Sequence, residues 1–167
     1  PAGDIYAKGT WLLQSLRYVI GEESFWRAVR RLVYDTTEPE KLQAPIQARY
    51  RTTDDFMNIV SDEAGTDMSW FFEVYARRGP LPRLDVKQMN MGIELEWTDV
   101  DSLEFPMPIP VRVNDELQRI EFDSNKAFIS TTRVADIQID PFMQVLRKLP
   151  IVPTCEERRD GEEAPRR

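Results

Sequence analysis

The sequence predicts an α+β fold: a helical first part over residues 1–80, a small antiparallel β-sandwich over 81–153, and a charged tail over 154–167. Three observations carry this. Apolar residues recur at helical spacing up to Tyr75 and alternate from Leu84 onward. Nine of the twelve prolines lie at or after Pro80, whereas three of the four tryptophans precede it. The seam between the two parts reads Arg77-Arg78-Gly79-Pro80, basic residues then Gly then Pro, the signature of a helix end followed by a forced stop.

The elements follow in order. Trp11, Leu12, Leu16, Val19 and Ile20 form one apolar face, and Gly21 ends that helix. Glu22 and Glu23 suit the start of a second helix, where carboxylates meet the positive end of the dipole. Phe25, Trp26, Val29, Leu32 and Val33 give that helix its stripe. Residues 36–51 are polar, contain Pro39 and Pro45, and read as a loop. Thr52 and Asp55 stand at capping-box spacing before Phe56, Ile59 and Val60, with Gly65 as the stop. Thr66-Asp67 then caps a helix carrying Trp70, Phe71, Val74 and Tyr75. Strand-like alternation follows at Leu84 and Val86, at Ile93, Leu95 and Trp97, and at Ile109, Val111 and Val113. Ile120 with Phe122, and Val134 with Ile137 and Ile139, continue it. Turns are expected at Asn90-Met91-Gly92, Asp99 to Ser102, Asn114-Asp115 and Asp123 to Asn125. Pro106, Pro108 and Pro110 alternate along one stretch, which predicts an edge strand where missing N–H groups do no harm.

Composition removes whole classes of function. The chain has 167 residues, fits one or two small domains, and is 41% hydrophobic and 31% charged. Its net charge of −7 argues against nucleic-acid binding, which usually needs a basic face. No apolar run approaches the roughly 20 residues of a membrane span, and Pro1-Ala2-Gly3-Asp4 lacks the basic start and apolar core of a signal peptide. A lone Cys155 permits neither an internal disulfide nor a cysteine metal cluster. Without a single histidine, the chain cannot build a Ser–His triad, a Cys–His pair or a His-based zinc site. The start at Pro1, with no initiator Met, reads as an internal cut in something longer.

Local constellations favour ordinary explanations. Asp54 and Asp55 are adjacent on a helix and point about 100° apart, so they do not converge on one atom; capping explains them better. Asp99 to Glu104 carries Leu103 where a calcium loop needs an oxygen ligand, and reads as a solvated turn. Arg27, Arg30 and Arg31 share a face that could clamp an anion, but Glu23 four residues before Arg27 suits a surface ion pair.

One ordered set of short matches goes further. Tyr6-Ala7-Lys8-Gly9-Thr10, Leu16-Arg17 and Gly21-Glu22-Glu23-Ser24-Phe25 come first. Thr53-Asp54-Asp55-Phe56, Ala64-Gly65-Thr66-Asp67-Met68 and Trp70-Phe71-Phe72 follow. Gly79 to Val86 and Ile139-Asp140-Pro141 with Val145-Leu146 complete it. This series, across about residues 5–147, resembles the gluzincin aminopeptidases, the aminopeptidase N and leukotriene hydrolase group. The resemblance implies that residues 1–80 are the C-terminal, all-helical half of a thermolysin-like catalytic domain, and that a β-sandwich domain follows. It implies a parent zinc metallopeptidase that removes N-terminal residues from peptides. Its zinc motif and amine-recognition motif would lie upstream, in the N-terminal remainder of the catalytic domain, so the piece alone would be inactive.

Tyr6 matches the active-site tyrosine of that family. Peptide hydrolysis develops an oxyanion at the scissile carbonyl, and a phenol, protonated at neutral pH, can donate a hydrogen bond to it. The resemblance assigns no chemistry to Lys8 or Gly9: Lys8 is expected solvated or paired, and Gly9 to permit close helix packing. Two other readings remain, a non-catalytic relative that serves as a scaffold for protein contacts, and the related glycyl-aminopeptidase group. The low cysteine content suits cytosol or periplasm.

Overall fold

The computed structural model describes residues 3–42, 49–131 and 137–149. Four helices come first: α1 (Gly3–Ile20), α2 (Glu22–Tyr34), α3 (Thr53–Ala64) and α4 (Ser69–Tyr75), with a short 3₁₀ turn at Pro39–Lys41. Six strands follow: β1 (Arg83–Met89), β2 (Gly92–Thr98), β3 (Ile109–Val113), β4 (Glu116–Ile120), β5 (Lys126–Ser130) and β6 (Ile137–Ile139). They form two antiparallel three-stranded sheets, ordered β1-β2-β5 and β4-β3-β6.

Local chemistry sets most boundaries as expected. Gly21, at φ 83°, separates α1 from α2. At α3 the Thr52 hydroxyl accepts from Asp55 N at 3.1 Å and the Asp55 carboxylate accepts from Thr52 N at 2.7 Å, a complete capping box. Gly65 closes that helix in the left-handed conformation. At α4 the Asp67 carboxylate accepts from Ser69 N at 3.0 Å, one residue outside the helix's own cap position at Met68. Asn114 and Asp115, both at positive φ, make the two-residue turn between β3 and β4, whose twist matches that of paired strands.

The expectation of an all-helical half of a thermolysin-like domain is overturned. The structure shows four helices and two small sheets sharing a single core, and only the broad mixed α and β character fits. The physical reason is that the last helix, α4, is short and buries its rings against both the helices and the strands. Seven-residue α4 presents Phe71, Phe72, Val74 and Tyr75, all buried, and their partners lie on both sides of residue 80. Aromatic rings run in contact from Phe56 through Phe72, Phe71, Tyr75, Phe105 and Trp97 to Phe122, with centroids 4.7–5.7 Å apart. Such edge-to-face and tilted pairs add about 0.5–1.5 kcal/mol each beyond burial.

Two strand expectations also change. The proline-rich stretch is not an edge: β3 is the central strand of its sheet, and Pro110 is buried opposite Arg119. Pro110 sits just beyond the β3–β6 pairing, which begins at Val111, and its carbonyl still accepts from Asp140 N at 2.7 Å. Pro106 and Pro108 lie in the extended approach to β3. Strand β5 was not expected. Its outward Phe128 is half-exposed beside buried Ile129, which blurs the apolar alternation that reveals a strand. Val134, Cys155 and the charged tail of 154–167 lie outside the described residues.

Candidate functional site

Tyr6 is the fourth residue of α1, at the end of its first turn, and is 81% exposed. Its carbonyl accepts from the Thr10 hydroxyl at 2.9 Å, a bond within the helix. Two residues on, Lys8 turns the other way. Its ammonium donates to the carbonyl of Arg78, just past the end of α4, at 2.5 Å. Arg78 in turn donates to the Asp101 carboxylate at 2.6 Å, in the turn that leaves β2. Lys8 therefore is partnered, by a carbonyl 70 residues away rather than by a carboxylate. Gly9 does not serve close packing: a Cβ added there meets nothing within 4 Å.

Two other tyrosines show the contrast. Tyr75 is buried, and its hydroxyl donates to the carbonyl of Leu146 at 2.7 Å. Burial raises its pKa well above the usual phenol value, with the Arg147 charge opposing. Tyr18 has its ring under the Arg119 guanidinium, 5.0 Å from the centroid. Burial pushes its pKa up to about 12, against the lowering effect of Arg119. Tyr75 is held by its hydroxyl and Tyr18 by its ring, while the Tyr6 phenol is exposed.

Lower on α1, the helix is fixed to the sheets. The Ser15 hydroxyl accepts from Leu146 N at 2.7 Å and faces the carbonyls of Trp11 and Gln144 at 2.9 and 3.2 Å. Arg119, from β4, donates to the carbonyls of Tyr18 and Val19 at 2.9 and 3.2 Å, so another element caps the C-terminal end of α1. Asp140, buried, accepts from Gln144 N at 2.7 Å and Val145 N at 3.2 Å and shapes the segment that Ser15 and Tyr75 grip. Sequence reasoning missed Ser15 and Tyr75 as anchors, since their partners stand 131 and 71 residues away and leave no local pattern.

The remaining charged candidates are structural. Glu63, nearly buried, joins α3 to α2 through Arg27 at 2.6 Å and Arg31 at 2.7 Å. Burial raises its pKa, but the hydrogen bonds from the two arginines outweigh that and hold it below the usual range. Arg27 also meets Glu23 at 2.7 Å, the expected surface pair. Asp55 caps α3 while Asp54 pairs with Arg77, so the two carboxylates do not converge. A cavity of about 160 Å³ lies between Trp11 and the segment from Asp140 to Leu149, and Tyr6 is not among its lining residues.

The described residues do not fit a zinc ion. No group of three or more His, Cys, Asp or Glu side chains among them could hold a metal, and the chain has no histidine. No helix among them is long and apolar enough to cross a membrane. No protein-family model matches the chain, and no curated protein matches it.

Proposed function

We propose that this chain is part of a zinc-dependent metallo-aminopeptidase that hydrolyses N-terminal residues from peptides. In this reading the zinc ligands come from outside residues 1–167, and the chain by itself is inactive. Its contribution is Tyr6, whose phenol donates a hydrogen bond to the oxyanion that develops at the scissile carbonyl. The observation that carries the reading is the exposure of Tyr6 in its Tyr-x-Lys-Gly setting, in contrast to the buried Tyr75. A phenol reserved for an incoming substrate has to be left uncommitted by the fold. The partner is then a peptide, not a nucleic acid, in keeping with the net charge of −7. The low cysteine content is compatible with cytosol or periplasm and does not choose between them.

The test is hydrolysis of an aminoacyl chromogenic amide by the intact peptidase, wild type against Tyr6→Phe, with and without a zinc chelator. The expected result is chelator-sensitive activity that falls by about 10²–10³ in kcat on loss of the donor. An intact protein that binds no zinc and cleaves nothing would overturn the peptidase reading and leave a scaffold for protein contacts. Unchanged activity in Tyr6→Phe would remove the role of Tyr6.

A further inference from the structure

We infer that Lys8 is a positioning residue that fixes the rotation of the first turns of α1 and so aims Tyr6. The inference rests on the reading of Tyr6 given above. Successive helical residues are about 100° apart, so side chains at i and i+2 leave the axis in nearly opposite directions, about 160° apart. Lys8 is drawn inward by its 2.5 Å bond to the Arg78 carbonyl. With that side tied down, Tyr6 is directed away from the protein body, which accounts for its 81% exposure.

The tie is placed where the helix needs it. On α1 the first residue packed on the core is half-buried Leu12, six residues after Tyr6, and full burial begins at Ser15 and Leu16. Between Tyr6 and Thr10 the side chains are exposed or half-buried, and the Thr10 hydroxyl bond stays within the helix. Lys8 thus supplies the tertiary hydrogen bond of this stretch among the described residues. Its acceptor is itself held, because the Arg78 guanidinium is engaged by Asp101 at 2.6 Å. The lever arm makes a small rotation matter. A tyrosine hydroxyl lies roughly 9 Å from the helix axis, so a turn of about 10° carries it about 1.5 Å. A displacement of about 1 Å is enough to cost up to about 10²-fold in rate.

The experiment is a double-mutant cycle on the intact peptidase, with kcat and KM measured for Lys8→Met, Lys8→Arg, Tyr6→Phe and the Lys8→Met, Tyr6→Phe pair on an aminoacyl p-nitroanilide. Lys8→Met should lower kcat by about 10- to 100-fold with KM within about twofold. Lys8→Arg, which still reaches a carbonyl, should restore most of it. In the Tyr6→Phe background Lys8→Met should cost nothing further, because its effect passes through the phenol. The same fold-loss in both backgrounds would overturn the inference, since the lysine would then act on the fold at large. No loss in Lys8→Met while Tyr6→Phe loses its two orders would overturn the positioning role alone and leave the role of Tyr6 standing. No loss in Tyr6→Phe would overturn both. Where Lys8→Met fails to fold, Lys8→Gln against Lys8→Arg makes the same comparison.

Discussion

Replacing Tyr75 by Phe isolates one buried hydrogen bond. The ring stays, so its contacts with Phe71 at 4.7 Å and Phe105 at 5.5 Å are kept and no cavity opens. What goes is the hydroxyl that donates to Leu146 O at 2.7 Å. Leu146 is buried and its N–H is already spent on Ser15, so the substitution removes the phenol from a buried carbonyl. Stranding a buried acceptor costs about 1–3 kcal/mol, against about 1 kcal/mol for an average exposed exchange. We expect about 2 kcal/mol, roughly a 30-fold change in the unfolding constant. The assay is urea unfolding followed by tryptophan fluorescence. With a slope of about 2 kcal/mol/M for a chain of this size, the midpoint should fall by about 1 M with the slope unchanged. A shift below about 0.2 M, within the error of the method, would refute the reasoning. It would mean that the 140–147 segment re-forms its hydrogen bonds without the phenol and that Tyr75 contributes through its ring alone.

Two further substitutions test neighbouring arguments. Tyr18 has a buried hydroxyl without a hydrogen-bond partner among the described residues, so Tyr18→Phe should leave stability at pH 7 unchanged or slightly higher. Its pKa is raised from 10.0 to about 12, so the folded state holds the proton longer than the unfolded chain. That contribution is complete below pH 10 and is lost as pH rises towards 12; unfolding midpoints between pH 9 and pH 12 should therefore fall less steeply in Tyr18→Phe than in wild type. Gly92→Ala should disrupt the β2–β5 pairing, since a Cβ there would lie 2.0 Å from the backbone oxygen of Ile129. The measurement is amide exchange of β5, and unchanged protection at Ile129 would contradict the geometry.

Residues close in sequence already specified much of this protein. The capping box at Thr52 and Asp55, the stops at Gly21 and Gly65, and the turn at Asn114-Asp115 were legible because each depends on groups within a few residues of one another. The positions of β1, β2 and β3 were legible from their alternating apolar residues, although only β2 alternates in burial: β1 is largely exposed and β3 is buried at four of its five positions. β5 escaped because Phe128 faces outward, and the role of the proline stretch was misread because pairing order is not a local property. The absence of histidine ruled out imidazole chemistry from this chain before any fold was known. Tyr6 could be named from its motif, but its exposure could not.

Only tertiary structure decided how the helices and sheets share a core. Tyr75 and Phe105 meet edge to face across the seam at residue 80, and Ser15 and Tyr75 both grip Leu146. Arg119 closes the end of a helix about 100 residues earlier, and Lys8 finds a carbonyl 70 residues later. These contacts satisfy backbone groups and rings that their own elements leave open. Because any distant segment with a matching donor, acceptor or ring could do so, the sequence announces the need but not the partner.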